Sequence, residues 1–264
     1  MERQVRVGPV DVAYAVEGNG PALLLIHGTG GSYETNWSEM VGALSSQYTI
    51  ITPNYSGSGN TVDHRERFEL DDLVEQNVQA VLNEGIEQFH VVGYSLGAVI
   101  AAAIAAKYPD RVKSASLIAG WAESDLATAY QFDLWQKLFK TDRTLFAQFV
   151  IHTGFSQAFY RHFQNTEQLQ QLAKDFATTL AEGTDRQSEL DSRIHIRPLL
   201  SSITAPTLVI GLTHDRMVPV EHTKELASLI KGAIYREINS GHLVPWEQGE
   251  TLIGEITHFL STVS

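Results

Sequence analysis

Residues 89–109 read "FHVVGYSLGAVIAAAIAAKYP", where a β-branched run passes into an alanine-rich one through Gly93-Tyr94-Ser95-Leu96-Gly97. The first part has the apolar character of a strand buried on both faces, and the second is a helix stopped by Pro109. A serine with a glycine two residues to either side of it, at that junction, points to a sharp strand-to-helix turn whose crowded backbone leaves no room for neighbouring side chains. Such a turn lifts the Ser95 hydroxyl above the sheet. It also sets Ser95 at a helix start, where free N–H groups can meet a developing negative charge.

On both sides of this stretch, strands alternate with helices. "RQVRVG" (3–8) and "VDVAYAVEG" (10–18) flank Gly8-Pro9 and predict an antiparallel hairpin at a sheet edge. "ALLLIHG" (22–28), "YTIITP" (48–53), "KSASLIAG" (113–120), "APTLVIGL" (205–212) and "AIYREINSG" (233–241) read as further strands. Helices are predicted at 36–47, 70–85, 221–232 and 250–263, the second with Asp71 and Asp72 in its first turn, where the helix dipole favours them. This alternation implies crossover units and a mostly parallel central sheet flanked by helices, an α/β fold.

Between the strands at 113–120 and about 206–212 the pattern changes. Residues 121–204 are rich in Phe, Tyr, Gln and Leu, and "DLWQKLFK", "RTLFAQFVIH" and "TEQLQQLAKDFATTLAEG" have helical spacing. The expected organisation is a core of residues 1–120 and 205–264, with 121–204 inserted as a helical lid over a pocket.

Composition narrows the function. With 19 basic and 31 acidic side chains the net charge is −12, which offers nucleic acid phosphates nothing to hold. The chain has no cysteine, so disulfides and thiolate chemistry are excluded. No segment approaches the roughly 18 uninterrupted apolar residues of a membrane span, and the N-terminus lacks the pattern of a secretory signal. A cytoplasmic protein is the expectation; the sequence says nothing of its oligomeric state. No H-E-x-x-H spacing suggests a metal and no glycine-rich fingerprint suggests a nucleotide, so neither metal nor cofactor is expected.

Serine is a weak nucleophile unless a base, a group orienting that base and donors for the oxyanion accompany it. Candidates for each follow strands in the order Ser, Asp, His. Asp215 lies in "LVIGLTHDRMVP" (208–219) and His242 in "INSGHLVPWEQ" (238–248). Earlier, "LLLIHGTGGS" (23–32) is a glycine-rich turn whose backbone N–H groups can approach a carbonyl oxygen.

With these parts the chain resembles the α/β-hydrolase superfamily, over about residues 3–120 and 205–262. The family's nucleophile elbow matches Gly93-Tyr94-Ser95-Leu96-Gly97 and its histidine-glycine oxyanion loop matches His27-Gly28-Thr29-Gly30. The resemblance implies Ser95 as nucleophile, His242 as base and Asp215 as the acid that holds it, with the N–H groups of Leu96 and Thr29 as oxyanion hole. Glu123 and Asp125 are the competing candidates for the acid. His27 is read as a brace of the oxyanion loop. One departure is Asn54 in "PNYSGSGNT", where relatives often carry aspartate.

Gly28, Gly30, Tyr94, Trp121, Trp135 and Val218 are the candidate substrate contacts. The expected activity is cofactor-independent hydrolysis of a small-molecule ester, thioester or lactone through an acyl-enzyme. Carbon–carbon bond hydrolysis or a lyase reaction on the same triad is the alternative within enzymes. A ligand receptor retaining the fold is the alternative outside them.

Overall fold

The structure, a computed structural model, describes residues 2–263. The hairpin β1 (Arg3–Val7) and β2 (Val10–Gly18) opens the chain, followed by β3 (Ala22–Ile26), α1 (Tyr33–Leu44), β4 (Thr49–Asn54), α2 (Leu70–Leu82) and β5 (Phe89–Tyr94). Then come α3 (Leu96–Lys107) and β6 (Val112–Ile118). After a helical insertion the alternation resumes with β7 (Thr207–Leu212), α9 (Val220–Leu229), β8 (Ile234–Ile238), the short α10 (Val244–Glu247) and α11 (Gly249–Val263).

Among the described residues these strands form one eight-stranded sheet in the order β1-β2-β4-β3-β5-β6-β7-β8. The β1–β2 and β2–β4 pairs are antiparallel and the rest are parallel. Parallel register positions the site. Ile26 pairs with Gly93, Tyr94 with Ile118, Ile118 with Ile210 and Leu212 with Ile238. The loops after β3, β5, β7 and β8 therefore leave the same edge of the sheet, which is where open α/β sheets bind ligands.

Alternation along β3 divides the core into two layers. Leu23 and Leu25 pack with Trp37, Met40 and Leu44 of α1 and with Ile256 and Phe259 of α11. Leu24 and Ile26 face the opposite layer, built on α2 and α3. Helix α3 is buried from Leu96 through Ala105, and its alanines let it lie close against the strands.

The insertion comprises α4 (Leu126–Thr141), α5 (Arg143–Gly154), a 3₁₀ turn (Phe159–His162), α6 (Thr166–Thr179), α7 (Thr184–Asp191) and α8 (Arg197–Leu200). Phe132, Trp135, Phe146, Val150 and Leu190 join the same apolar cluster as α3, so the insertion has no separate core. Helices expected at 70–85 and 221–232 span Leu70–Leu82 and Val220–Leu229, and two further differences have a local cause. Helix α1 begins at Tyr33 rather than 36, because Ser32 caps it and Thr35 returns the bond to the Ser32 N–H in a capping box. Helix α7 escapes a search for apolar periodicity because the face it buries is polar: Thr184, Gln187, Ser188 and Asp191 are all fully buried.

Candidate active site

Ser95 sits between β5 and α3 with φ 57° and ψ −121°, a conformation that costs a residue with a side chain on the order of 1–3 kcal/mol. The flanking glycines explain how the turn survives. A Cβ on Gly93 would lie 2.1 Å from the Gly97 carbonyl oxygen, and one on Gly97 would lie 2.1 Å from the Ile26 carbonyl oxygen. The elbow is thus pressed against itself and against the end of β3.

His242, in the loop after β8, places Nε2 2.9 Å from Ser95 Oγ and Nδ1 2.6 Å from Asp215 Oδ2. The other Asp215 oxygen accepts from the Met217 and Val218 N–H groups, each at 2.8 Å. With one oxygen occupied by backbone donors, the carboxylate presents the other to the imidazole. Tyr94 secures His242 from below, donating its hydroxyl to the His242 carbonyl at 2.8 Å. All three of Ser95, His242 and Asp215 are buried. Glu123 and Asp125, the competing acids, lie elsewhere: Glu123 pairs with Arg197 and His195, and Asp125 caps α4.

The loop after β3 packs over Ser95. A Cβ on Gly28 would meet Ser95 Cβ at 3.1 Å and the Tyr94 ring at 3.3 Å. The N–H groups of Thr29 and Leu96 have no acceptor among the described residues. His27 is fully buried, its ring stacked 4.0 Å from Tyr55, with Nδ1 bonded to the Gly28 carbonyl. Burial pushes its pKa down to about 4, so it is a neutral structural group at physiological pH.

An apolar cavity with about 640 Å³ of free space, its open mouth included, lies over Ser95 and His242. Gly28, Thr29, Gly30, Tyr94, Trp135 and Val218 line it, and Phe132 and Phe146 extend the wall from α4 and α5. No charged side chain lines this inner cavity. Trp121 is a correction to the expected contacts: it lies behind the wall, stacked on Phe132, with its indole N–H donated to Ser124. An outer cleft shares Thr35, Asn36, Phe176, Thr179 and Trp246 with the cavity and carries Glu34, Glu39 and Asp175. Among the described residues no group of His, Asp and Glu converges to hold a metal ion.

Several residues that matter here are absent from the sequence reading. Asn36 accepts the Gly28 N–H at 2.9 Å, and its place on the buried stripe of α1 beside Trp37 and Met40 is a signal that could have found it. Tyr55 donates to the His27 carbonyl at 3.1 Å. Glu247 accepts from the Gly241 N–H next to His242 and from Ser156 of the insertion. Gln187 and Asp191 of α7 bond the loop that follows β3.

A serine on a sharp strand-to-helix turn, a histidine bridged to a carboxylate and an eight-stranded sheet in this order define a class, and the chain belongs to the α/β hydrolase fold family, whose sequence pattern matches residues 21–248. Its relatives in this family carry hydrolase names, and hydrolase activity on a small molecule is the class the comparisons support. A particular relative, the pyrrolizixenacetamide deacetylase of Xenorhabdus hominickii, is 38% identical over 259 residues, spanning 97% of this chain and 97% of its own. Two solved structures share the fold. The enol-lactonase from Burkholderia xenovorans LB400 matches with TM-score 0.87 at 22% identity, covering 98% of this chain and 100% of that one. The thermophilic esterase from Thermogutta terrifontis matches with TM-score 0.86 at 21% identity, covering 100% and 99%. No helix among the described residues is long and apolar enough to cross a membrane.

Proposed function

We propose that this protein is a serine hydrolase that removes a small, uncharged acyl group from a nitrogen, oxygen or sulfur leaving group through an acyl-enzyme on Ser95. The observation that carries this reading is the continuous hydrogen-bonded chain from Asp215 through His242 to Ser95 beneath an apolar cavity. Ser95 Oγ attacks the carbonyl carbon as its proton passes to His242 Nε2, while Asp215 keeps Nδ1 protonated and stabilises the imidazolium. The tetrahedral oxyanion is received by the N–H groups of Thr29 and Leu96. Removing one such donor typically costs about a hundredfold or more in rate. His242 then returns its proton to the departing nitrogen, oxygen or sulfur. Water, deprotonated by the same imidazole, releases the acid and restores the serine.

Protonation of the leaving group matters most for an amide, whose amine departs only with that proton. The Xenorhabdus hominickii relative is named for deacetylating an acetamide, so a short N-acyl group is the first class to test, beside short esters, thioesters and lactones. The uncharged cavity wall favours a neutral acyl part, and the carboxylates of the outer cleft disfavour an anionic leaving group. In this reading residues 121–204 serve as the lid.

Intact-mass labelling with a fluorophosphonate, followed by peptide mapping, tests the proposal. The expected result is one adduct on the peptide carrying Ser95, absent in Ser95→Ala and slowed at least about a hundredfold in His242→Ala. Turnover of 4-nitrophenyl acetate and 4-nitroacetanilide should disappear with the same substitutions. A folded wild-type protein that takes no adduct and turns over neither substrate sinks the reading.

A further inference from the structure

The loop that presents Thr29 is tied down by the insertion as well as by its own strand. The Gly30 N–H donates to Gln187 Oε1 at 2.8 Å, and the Gly30 carbonyl accepts from the Ala181 N–H at 3.0 Å. Thr29 Oγ1 donates to Asp191 Oδ2 at 2.6 Å. Gln187 reaches the core a second time, with its amide nitrogen donating to the Ser56 carbonyl at 3.0 Å and to Ser58 Oγ at 2.9 Å. Where α7 begins, Gly183 donates its N–H to the Gly57 carbonyl at 2.8 Å, and a Cβ on Gly183 would stand 2.5 Å from Gly57 Cα. Backbone therefore meets backbone at the foot of this helix.

The composition of that buried face calls for an explanation. A helix normally turns apolar residues inward, yet α7 buries Thr184, Gln187, Ser188 and Asp191 beside one leucine, Leu190. Among the described residues Asp191 has no cationic partner, and its Oδ1 has no hydrogen bond. Burying a carboxyl with no charged partner is costly, and burial holds it well above the usual carboxylate range, opposed by one side-chain hydrogen bond. The neighbour it bonds is the side chain of Thr29.

We propose that α7 is a fixed brace of the oxyanion loop, and that Gln187 and Asp191 are positioning residues that set the direction of the Thr29 N–H. This rests on the hydrolase reading above. A displacement of about 1 Å in a positioned group can cost on the order of a hundredfold in rate, so a brace with no substrate contact can govern turnover. It follows that the insertion has two parts, a brace at 181–191 and a cover formed by α4, α5 and α6.

The test uses the full chain carrying Gln187→Ala, Asp191→Ala, Asp191→Asn, Thr29→Val and the double change Thr29→Val with Asp191→Ala. With 4-nitrophenyl acetate, Gln187→Ala and Asp191→Ala should lower kcat by roughly ten- to a hundredfold with KM within about threefold, the pattern of a lost transition-state contact. Asp191→Asn keeps an acceptor oxygen and should recover most of the loss. Thr29→Val and Asp191→Ala should not add in the double variant, because they break one bond. Should Asp191→Ala fail to fold, Asp191→Asn and Gln187→Ala give the same comparison. Unchanged kcat in folded Gln187→Ala and Asp191→Ala proteins that still label on Ser95 overturns the brace and leaves the hydrolase reading intact. Additive losses, or losses confined to KM, overturn it equally.

Amide hydrogen exchange over the loop at 27–32 separates the two ideas. If wild type takes no adduct, yet exchange in this segment accelerates in Gln187→Ala and Asp191→Ala, the hydrolase reading fails and the brace stands as structure. Exchange that does not change overturns the brace.

Discussion

At the sheet edge, Ser95 is placed by backbone against backbone: the elbow is pressed so closely on itself at Gly93 and on the end of β3 at Gly97 that neither glycine has room for a methyl group. In the insertion, Gln187 and Asp191 reach the same site through side-chain hydrogen bonds from a helix about a hundred residues further on. Steric placement tolerates almost no substitution and is built into the fold. Hydrogen-bonded placement can be weakened one bond at a time while the fold persists. The two regions should therefore separate stability from turnover.

The largest effect is expected at Gly97. Its methyl group in Gly97→Ala would stand 2.1 Å from the Ile26 carbonyl oxygen and 2.5 Å from that of His27, so β3 or α3 must move. A loss of at least about 3 kcal/mol is expected from urea denaturation, against roughly 1–2 kcal/mol for Gln187→Ala, which leaves polar partners unsatisfied. Equal midpoints for Gly97→Ala and wild type would break the contrast.

Acid distinguishes the regions next. His27 in the core is neutral in the fold, with its pKa pushed down to about 4 by burial, while an unfolded histidine titrates near 6.5. Between those values the unfolded chain binds the extra proton, so stability falls as pH drops from 6.5 towards 4. The loss from His27 is on the order of 3 kcal/mol, and His27→Gln should remove that part of the slope while leaving the part due to His90, which burial also holds at about 4. Asp191 in the insertion has the opposite sign. Burial raises its carboxyl, with the Glu189 charge adding to it, so the fold keeps a proton that the unfolded chain has released above about 3.8. Asp191→Asn should thus be more stable than wild type at pH 7, with the gain vanishing below pH 4. A stability difference that does not vary with pH would show that Asp191 is charged in the fold.

The same division separates what the sequence could tell from what it could not. The elbow is legible because backbone crowding leaves a mark in residue type, and a glycine at 93 and at 97 is that mark. Asp215 and His242 are legible because parallel strands must deliver the loops that follow them to one edge. Trp121 misleads because an aromatic at the start of an insertion fits a pocket wall and a core equally well; only the stacking of Phe132 over it decides. Gln187 and Asp191 are illegible for a different reason. Their partners on the loop after β3 lie more than 150 residues away in the chain, and "TDRQSELD" looks like an exposed helix unless the spacing of 184, 187, 188 and 191 is read as a buried polar face.

The smallest effect belongs to the outside of the insertion. Arg143 forks onto Glu182 with contacts of 2.8 and 2.5 Å, and Lys140 lies 3.4 Å from Asp185, so both pairs tie the α4–α5 corner to the outer side of the brace. Glu182, however, is 81% exposed, and Lys140 and Arg143 are exposed as well. In water such pairs contribute about 0–1 kcal/mol, because solvent screens the charges and ordering two long side chains opposes the gain. Glu182→Gln should therefore shift stability by less than about 1 kcal/mol, and molar salt should leave kcat for 4-nitrophenyl acetate within about twofold of its low-salt value. The contrast with Gln187, only five residues further along, is the sharpest available. One bond is outside and redundant, and the other is buried with every partner committed. If Glu182→Gln lowered turnover as far as Gln187→Ala, the outer pairs would be setting the oxyanion loop, and burial of the α7 face would not be what makes the brace rigid.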